Sequence, residues 1–400
     1  MWKILKYYLT LLPEIVFLLI WIGVQCFLFV DTFTDFRENP QFLSTNELTG
    51  SGVALAKGCA SVINFNTALL IVSMCRIVIT WLQGTWFSHL IPFHRHAQLH
   101  KMSAVSIVIF SLIHTISHYV NYTKIPTNWF NLAILTGPGA TGHVIWIILI
   151  LISATSFIKS VKRWKFEAFW YVHYLSFFFI LVLSFHGAFC FVKRDSIPEC
   201  PGAKTWKWIV GPAFLFIFEL LIKTIRSKRF TFISKVIIHQ ADVIEIQVKK
   251  PSFIFKPGQY VQLNCPEVSR LQWHPFTITS SPEEGFISLH LRVVGDWTRK
   301  FAKRLGAQFS DKTDTIDGYT APEQLPDIFL DGPYGSVSEN YDQFEVAICI
   351  GAGIGQTPFS SILKSMWYSL THPYMNLKLK KVIFIQISRE TQVGKRDRVI

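Results

Sequence analysis

Five histidines carry the first chemical signal. His100, His114 and His118 lie in "LHKMSAVSIVIFSLIHTISHYV", and His173 and His186 in "FWYVHYLSFFFILVLSFHGAFC"; both stretches are otherwise mostly apolar. His100 and His114 are 14 residues apart. That is close to four helical turns, so they share a face and are separated along the axis by roughly 21 Å. His173 and His186 are 13 residues apart, about 3.6 turns, so their faces diverge but stay near one side. Two such helices running the same way place His100 level with His173 and His114 level with His186. Imidazole is a standard axial ligand of haem iron, so two stacked His–His pairs match two six-coordinate haems. A single histidine in an apolar span is readily satisfied by a neighbouring helix; four at matching depths point to function. His118, one turn beyond His114, competes as a ligand but pairs less well in depth with His186. It reads as lining the outer pocket. His94, His96 and His143 need no functional reading.

A second signal lies near the end of the chain. "FEVAICIGAGIGQTPFSSILKSMWY" (Phe344–Tyr368) reads as a buried strand, a glycine-rich turn and an amphipathic helix. Such a turn exposes backbone N–H groups at a helix N-terminus, where a pyrophosphate binds. Its GxGxxxP spacing differs from the dinucleotide GxGxxG, so the order of the neighbouring motifs adds much of the weight. Upstream, "FKPGQYVQLNCP" reads as strand, turn and strand, and "WHPFTITSSPEEGFISLHLRVVGDWT" alternates apolar and polar residues at period two. Together these predict a small antiparallel barrel.

These residues need elements to hold them. Half of the 400 residues are hydrophobic, with 35 Phe and 13 Trp, too apolar for an ordinary soluble enzyme. Six windows are long enough to span a bilayer: about Leu11–Val30, Ala60–Leu82, Ser103–Asn121, Gly142–Ile158, Trp170–Phe191 and Trp206–Ile222. From about Arg226 the texture changes to short β-branched runs with Pro and Gly turns. Lys3 and Lys6, "HLIPFHRHAQLHK", "KSVKRWKFE" and "KTIRSKRF" all fall on one side, which the positive-inside rule assigns to the cytosol. The formal charge of +13 is thereby largely explained by topology, and no nucleic-acid footprint is needed. The first apolar stretch lacks a small-residue cleavage site and reads as a span. The sequon "NYT" at Asn121–Thr123 is expected on the outer face, as are Cys190 and Cys200, which either pair there or stay free. The other cysteines have no CxxC spacing, so zinc and iron–sulfur readings are poor.

The chain resembles the catalytic subunit of a NADPH oxidase, of the phagocyte flavocytochrome b type in the ferric reductase-like superfamily. "INFNTALLIVSMCR", "LHKMSAVSIVIFSLIHTISH", "TWKWIVGP", "WHPFTITSSPEE", "VVGDWT", "DGPYG" and "GAGIGQTPFSSILKS" carry the resemblance, which extends over nearly all of residues 1–390. It implies a six-helix haem bundle over 1–225, an antiparallel FAD-binding barrel over 226–340, and an incomplete α/β NADPH-binding domain over 341–400. It implies His100 and His173 on an inner haem b and His114 and His186 on an outer one. His274, Pro275, Phe276 and Thr277, running through Ile278 and Thr279 to Ser280, would hold FAD, with Arg292, Trp297 and Thr298 closing around it. Gly351, Gly353, Ile354, Gly355, Thr357 and Pro358 would bind NADPH, and Arg389 its 2′-phosphate.

Electrons would then pass from cytosolic NADPH through FAD and both haems to O₂, forming superoxide outside. Lys57 would stabilise that anion. The family usually has arginine there; lysine keeps the charge without the planar fork, and a snorkelling interfacial lysine is the alternative. The resemblance also implies lipid contact, a small partner subunit in the membrane, and cytosolic activators including a small GTPase. A metal reductase acting on ferric or cupric ions is the competing enzyme reading. No EF-hand loop appears, so direct calcium control is not expected. The pattern departs from the family after Thr391, where "QVGKRDRVI" is polar and ends abruptly. From Phe344 onward there is room for about one βαβ unit and a second strand. The expectation is a C-terminally truncated chain unable to complete NADPH-driven turnover alone. The third reading is therefore a catalytically incomplete haem-membrane subunit.

Overall fold

The computed structural model describes residues 2–387 apart from 90, 159, 162–165, 190–194, 196–203, 311–314, 337, 340, 342–343 and 373–377. Cys190, Cys200 and Arg389 therefore lie outside the described residues. The chain divides into two compact units, Met1–Glu219 and Leu220–Ile400.

Six helical segments are long and apolar enough to cross a membrane. They comprise α1 (Trp2–Glu38), α2 (Gly52–Val72), α3 (His96–Lys124), α4 (Gly137–Phe157), the broken pair α5 (Phe166–His173) and α6 (Leu175–His186), and α7 (Trp206–Ser227). Their outer faces are apolar and open: Phe27 is 67% exposed and Phe214 73%. Such faces are costly in water and natural against lipid. Inside, Ile63 of α2, Ile107 of α3, Ile145 and Leu149 of α4, and Phe179 and Leu183 of α6 form one cluster. Lipid gives helices no hydrophobic reason to associate, so buried polar contacts help to fix them. Asn66 of α2 donates to Gln25 Oε1 of α1 at 2.9 Å and to Ser106 Oγ of α3 at 3.2 Å.

Two expectations shift here. The second span runs over Gly52–Val72 rather than Ala60–Leu82, and a separate short helix follows at Arg76–Gln83. The polar turn at Ser73 ends it, with the Ser73 hydroxyl donating back to Leu70 O at 2.7 Å. The glycosylation sequon is not on an open loop. Asn121 lies within α3, fully buried, with its Oδ1 pressed against Gly52, where an added Cβ would sit 1.9 Å away.

In the second unit, β1 (Phe232–His239), β2 (Val243–Lys249) and β5 (Ile287–Arg292) form one antiparallel sheet. Strands β4 (His274–Thr277), β3 (Tyr260–Asn264) and β8 (Phe329–Tyr334) form another, and β6 (Ala307–Phe309) pairs with β7 (Ile316–Tyr319). The antiparallel pattern is as expected, but the described strands do not close into a barrel. Among the described residues a single bridge, Ile278–Leu289, joins the two three-stranded sheets, because the chain leaves β4 at Thr277 and turns inward. Period-two alternation fills the space between with Ile244, Ile246, Val261, Leu263, Ile278 and Leu289. The helix α8 (Asp296–Arg304) closes this core with Trp297 and Phe301. Strand β9 (Val346–Ala352), helix α9 (Thr357–Thr371) and strand β10 (Lys381–Ile387) form a single parallel βαβ unit.

Candidate functional site

The four histidines expected to pair do so. The rings of His100 and His173 have centroids 6.2 Å apart, and those of His114 and His186 are 6.3 Å apart. A metal–nitrogen bond of roughly 2 Å, plus about 1.1 Å from nitrogen to ring centre, places two trans imidazoles about 6.2 Å apart. Both couples match that separation.

The ring nitrogens are also set for ligation. His114 Nδ1 lies 2.8 Å from Ala56 O, which can only accept, so Nδ1 carries the proton. His186 Nδ1 is 2.8 Å from Thr141 Oγ1, whose own hydrogen goes to Gly137 O at 2.7 Å. His100 Nδ1 is 3.0 Å from Ser73 Oγ, whose hydrogen goes to Leu70 O. All three rings thus donate through Nδ1, which leaves Nε2 with the lone pair an iron needs. The donor set fits two bis-histidine haems.

The register of His173 and His186 has a cause that the spacing alone misses. On an unbroken helix, 13 residues leave two side chains roughly 140° apart. The helix is interrupted at Tyr174, whose N–H reaches Tyr171 O at 3.3 Å in an i→i−3 bond. The expectation that the two faces stay near one side of a regular helix therefore does not hold. A tighter turn advances each residue by about 120°, and the rings on either side of the break each meet a partner on α3.

Around the His114–His186 couple is a cavity of about 650 Å³, lined by Lys57, His114, His118, Tyr119, His143 and His186 among others. Lys57 is half-buried there, with Nζ 5.5 Å from the centre of the Phe36 ring. His118 sits beside His114 at 4.7 Å between centroids, and stacks on Tyr122. His143, given no role from sequence, belongs to this wall: its Nδ1 donates to Gly139 O, and its Nε2 accepts from Tyr119 OH at 2.9 Å. Its place near the start of the fourth span, at the end of α4 that meets Tyr119, was the available signal.

In the second unit, His274, Pro275, Phe276 and Thr277 make up β4 and leave part of each side chain accessible. His274 stacks on Trp297 at 4.1 Å. Burial brings the His274 imidazole down to about 4, so it is neutral at pH 7. The next three residues turn inward. Ile278 is fully buried, Thr279 Oγ1 donates to Ser288 O at 2.9 Å, and Ser280 Oγ accepts from Ser288 N at 3.0 Å. Much of their backbone is committed too: the Ile278 and Thr279 N–H groups donate to Gln259 O and Ser288 O, and the Thr279 and Ser280 carbonyls accept from Ser360 and Ser361. Trp297 belongs to the core, with no hydrogen-bond partner for Nε1 among the described residues. The Thr298 hydroxyl caps α8 by accepting from Gly295 N at 3.0 Å. Arg292 is exposed at the end of β5, where its guanidinium suits an anion.

The glycine turn joins β9 to α9 as expected. A Cβ at Gly351 would meet Gln356 Cβ at 2.8 Å, so the tight bend needs glycine. Gly353 has φ +52° and, like Gly355, faces open space. Thr357 and Pro358 begin the helix behind it. Backbone N–H groups and open ground at a helix N-terminus suit a pyrophosphate.

Two family profiles match the sequence. The ferric reductase like transmembrane component covers residues 57–184, and the FAD-binding domain covers 228–338. NADPH oxidase 1 of Rattus norvegicus is 33% identical, over 94% of this chain and 77% of that protein. A superoxide-generating NADPH oxidase heavy chain of Dictyostelium discoideum is 36% identical, over 90% and 71%. NADPH oxidase 3 of Homo sapiens is 31% identical, over 94% and 76%.

The chain belongs to the NADPH oxidase family. It is an oxidoreductase and an integral, multi-pass membrane protein with a FAD-binding domain. In this NADPH oxidase the histidine couples lie in the membrane unit, and the β4 strand and glycine turn lie in the other.

Proposed function

We propose that the chain carries electrons from cytosolic NADPH, through FAD and two haems b, to O₂ on the outer face, where superoxide forms. The observation that carries this reading is the pair of histidine couples at 6.2 and 6.3 Å. When bound, FAD splits a two-electron hydride into single electrons and the haems relay them one at a time. His100 and His173 would hold the inner haem, and His114 and His186 the outer one. Ser73, Ala56 and Thr141 orient three of these rings. With two imidazoles offered to each haem, these four side chains would leave no open position there for O₂. Lys57 offers the outer pocket a positive point charge for the superoxide anion, and His118 lines the same wall.

His274, Pro275, Phe276 and Thr277 present a surface for the flavin, and Ile278, Thr279 and Ser280 anchor that surface to the core. Arg292, Trp297 and Thr298 flank it. Gly351, Gly353, Ile354, Gly355, Thr357 and Pro358 cradle the NADPH pyrophosphate, and Arg389 is assigned its 2′-phosphate. The functional divisions are residues 1–225, 226–340 and 341–400. The N-terminus and the flavin and nucleotide parts lie in the cytosol, a reading that the basic connections support. The Dictyostelium relative is named a heavy chain, which supports a smaller membrane partner here. Cytosolic activators including a small GTPase follow from the family resemblance.

The ferric reductase-like match favours one competing reading, reduction of ferric or cupric ions outside. The purified chain is reduced with dithionite under argon, freed of reductant, and mixed with O₂ or with a ferric chelate. Fast reoxidation by O₂ with a superoxide-dismutase-sensitive product is expected. Reoxidation by the chelate alone would transfer the assignment to metal reduction.

A further inference from the structure

We propose that His239, Glu245 and His290 form a binding site for a divalent first-row transition cation, with Zn²⁺ the best match. Sheet register brings the three together. Glu245 of β2 pairs directly with His290 of β5, and His239 of β1 pairs with Val243, two residues before Glu245. Residues two apart on a strand share a face, so all three side chains project from one side.

Their ligand atoms all lie within 4.8 Å of one another. Glu245 Oε2 is 3.0 Å from His239 Nε2 and 3.5 Å from His290 Nε2. Ligands bonded to a tetrahedral zinc at roughly 2.0–2.1 Å stand about 3.4 Å apart. A set of two imidazoles and one carboxylate favours Zn²⁺ or its transition-metal neighbours over Mg²⁺ and Ca²⁺.

Without a metal, His239 Nε2 can donate to Glu245 Oε2 at 3.0 Å, a hydrogen a cation would displace; the other hydrogens around the site are committed elsewhere. Ser288 Oγ donates to Glu245 Oε1 at 2.7 Å, so it cannot also donate to Thr279. The Thr279 hydroxyl gives its hydrogen to Ser288, whose carbonyl is 2.9 Å away. Thr279 Oγ1 therefore accepts from His290 Nδ1, 2.8 Å distant. In a neutral ring, Nε2 then carries a lone pair facing a carboxylate oxygen. A cation bound between these two acceptors would satisfy both. Gln247 Nε2 adds a 3.3 Å bond to Glu245 Oε1, so Oε2 is the oxygen that faces the two imidazoles. The His239 side chain is 40% exposed, so ions can enter from solvent and a water can complete the coordination.

None of the three residues belongs to the histidine couples or to the glycine turn. It ties β1, β2 and β5 together and fixes the hydroxyl of Thr279, next to β4. The test uses the full chain in detergent, free of affinity tags, with Zn²⁺ or Co²⁺ as the only probe. After equilibration at micromolar free Zn²⁺, elemental analysis is expected to find one more zinc per chain than in His239→Gln or Glu245→Gln. Co²⁺ is expected to give visible d–d absorption that both variants lose. The midpoint of thermal unfolding should rise with Zn²⁺ only in the parent. Should Glu245→Gln misfold, His239→Gln decides, since its side chain is half-exposed at a strand end. Equal zinc content and cobalt spectra in the parent and His239→Gln would overturn the proposal. That result would leave His290 and Glu245 as a plain ion pair whose cation is a proton.

Discussion

His274 shows how one buried imbalance becomes a measurable property. Its neutral ring lies on Trp297, and burial brings its imidazole to about 4 from the ordinary 6.5. Between those values the unfolded chain binds a proton that the folded chain refuses, so stability rises with pH. The His274 contribution is complete above about 6.5 and is lost as pH falls towards 4. In His274→Gln the unfolding midpoint of the flavin-binding unit should fall less steeply from pH 7.5 to 5 than in the parent. Identical slopes would show that His274 does not titrate as its burial requires. Gly353 makes a second residue-scale case. With φ at +52°, it tolerates a β-branched side chain poorly. Gly353→Val should weaken NADP⁺ binding about tenfold or more, read by calorimetry, while dithionite still reduces the haems. Unchanged affinity would remove the glycine turn from the nucleotide site. Asn121 is a third case. It is fully buried in α3, so no glycosidase-sensitive mass shift is expected on expression in a secretory host. A shift abolished by Asn121→Gln would contradict that burial.

At the scale of elements, the membrane helices are held by a small polar set as well as by packing. Asn66→Leu removes the donor that links α1 and α3 through Gln25 and Ser106. It should cost about 1 kcal/mol, in the range of interhelical hydrogen bonds in bilayers. Thermal loss of the haem spectrum in detergent measures it, and an unchanged midpoint would show that the triad is not structural. Much of this scale was legible in the sequence. Six apolar runs, period-two strands and a glycine turn before a helix each follow from local patterning. What escaped was set by contacts far along the chain. The start of α2 depends on Gly52 fitting against Asn121, and its end depends on Ser73, which meets His100. The phase of His186 relative to His173 depends on the break at Tyr174, which no periodicity announces. The inward turn of Ile278, Thr279 and Ser280 depends on Ser288 across the sheet. His143 was passed over because a lone histidine at a helix end looks ordinary until Tyr119 is beside it.

At the scale of the whole molecule, the proposed electron path is a series of one-electron sites built on histidine pairs at two depths. Everything downstream of the flavin rests on those four ligands, so haem stoichiometry tests it most directly. The purified chain is assayed for haem per polypeptide alongside a reduced-minus-oxidised spectrum, with His114→Leu and His100→Leu as partners. Two low-spin haems b per chain are expected, and about one in each variant, with FAD still bound. Two haems retained in His114→Leu, or a parent chain that binds none, would contradict the paired-histidine path.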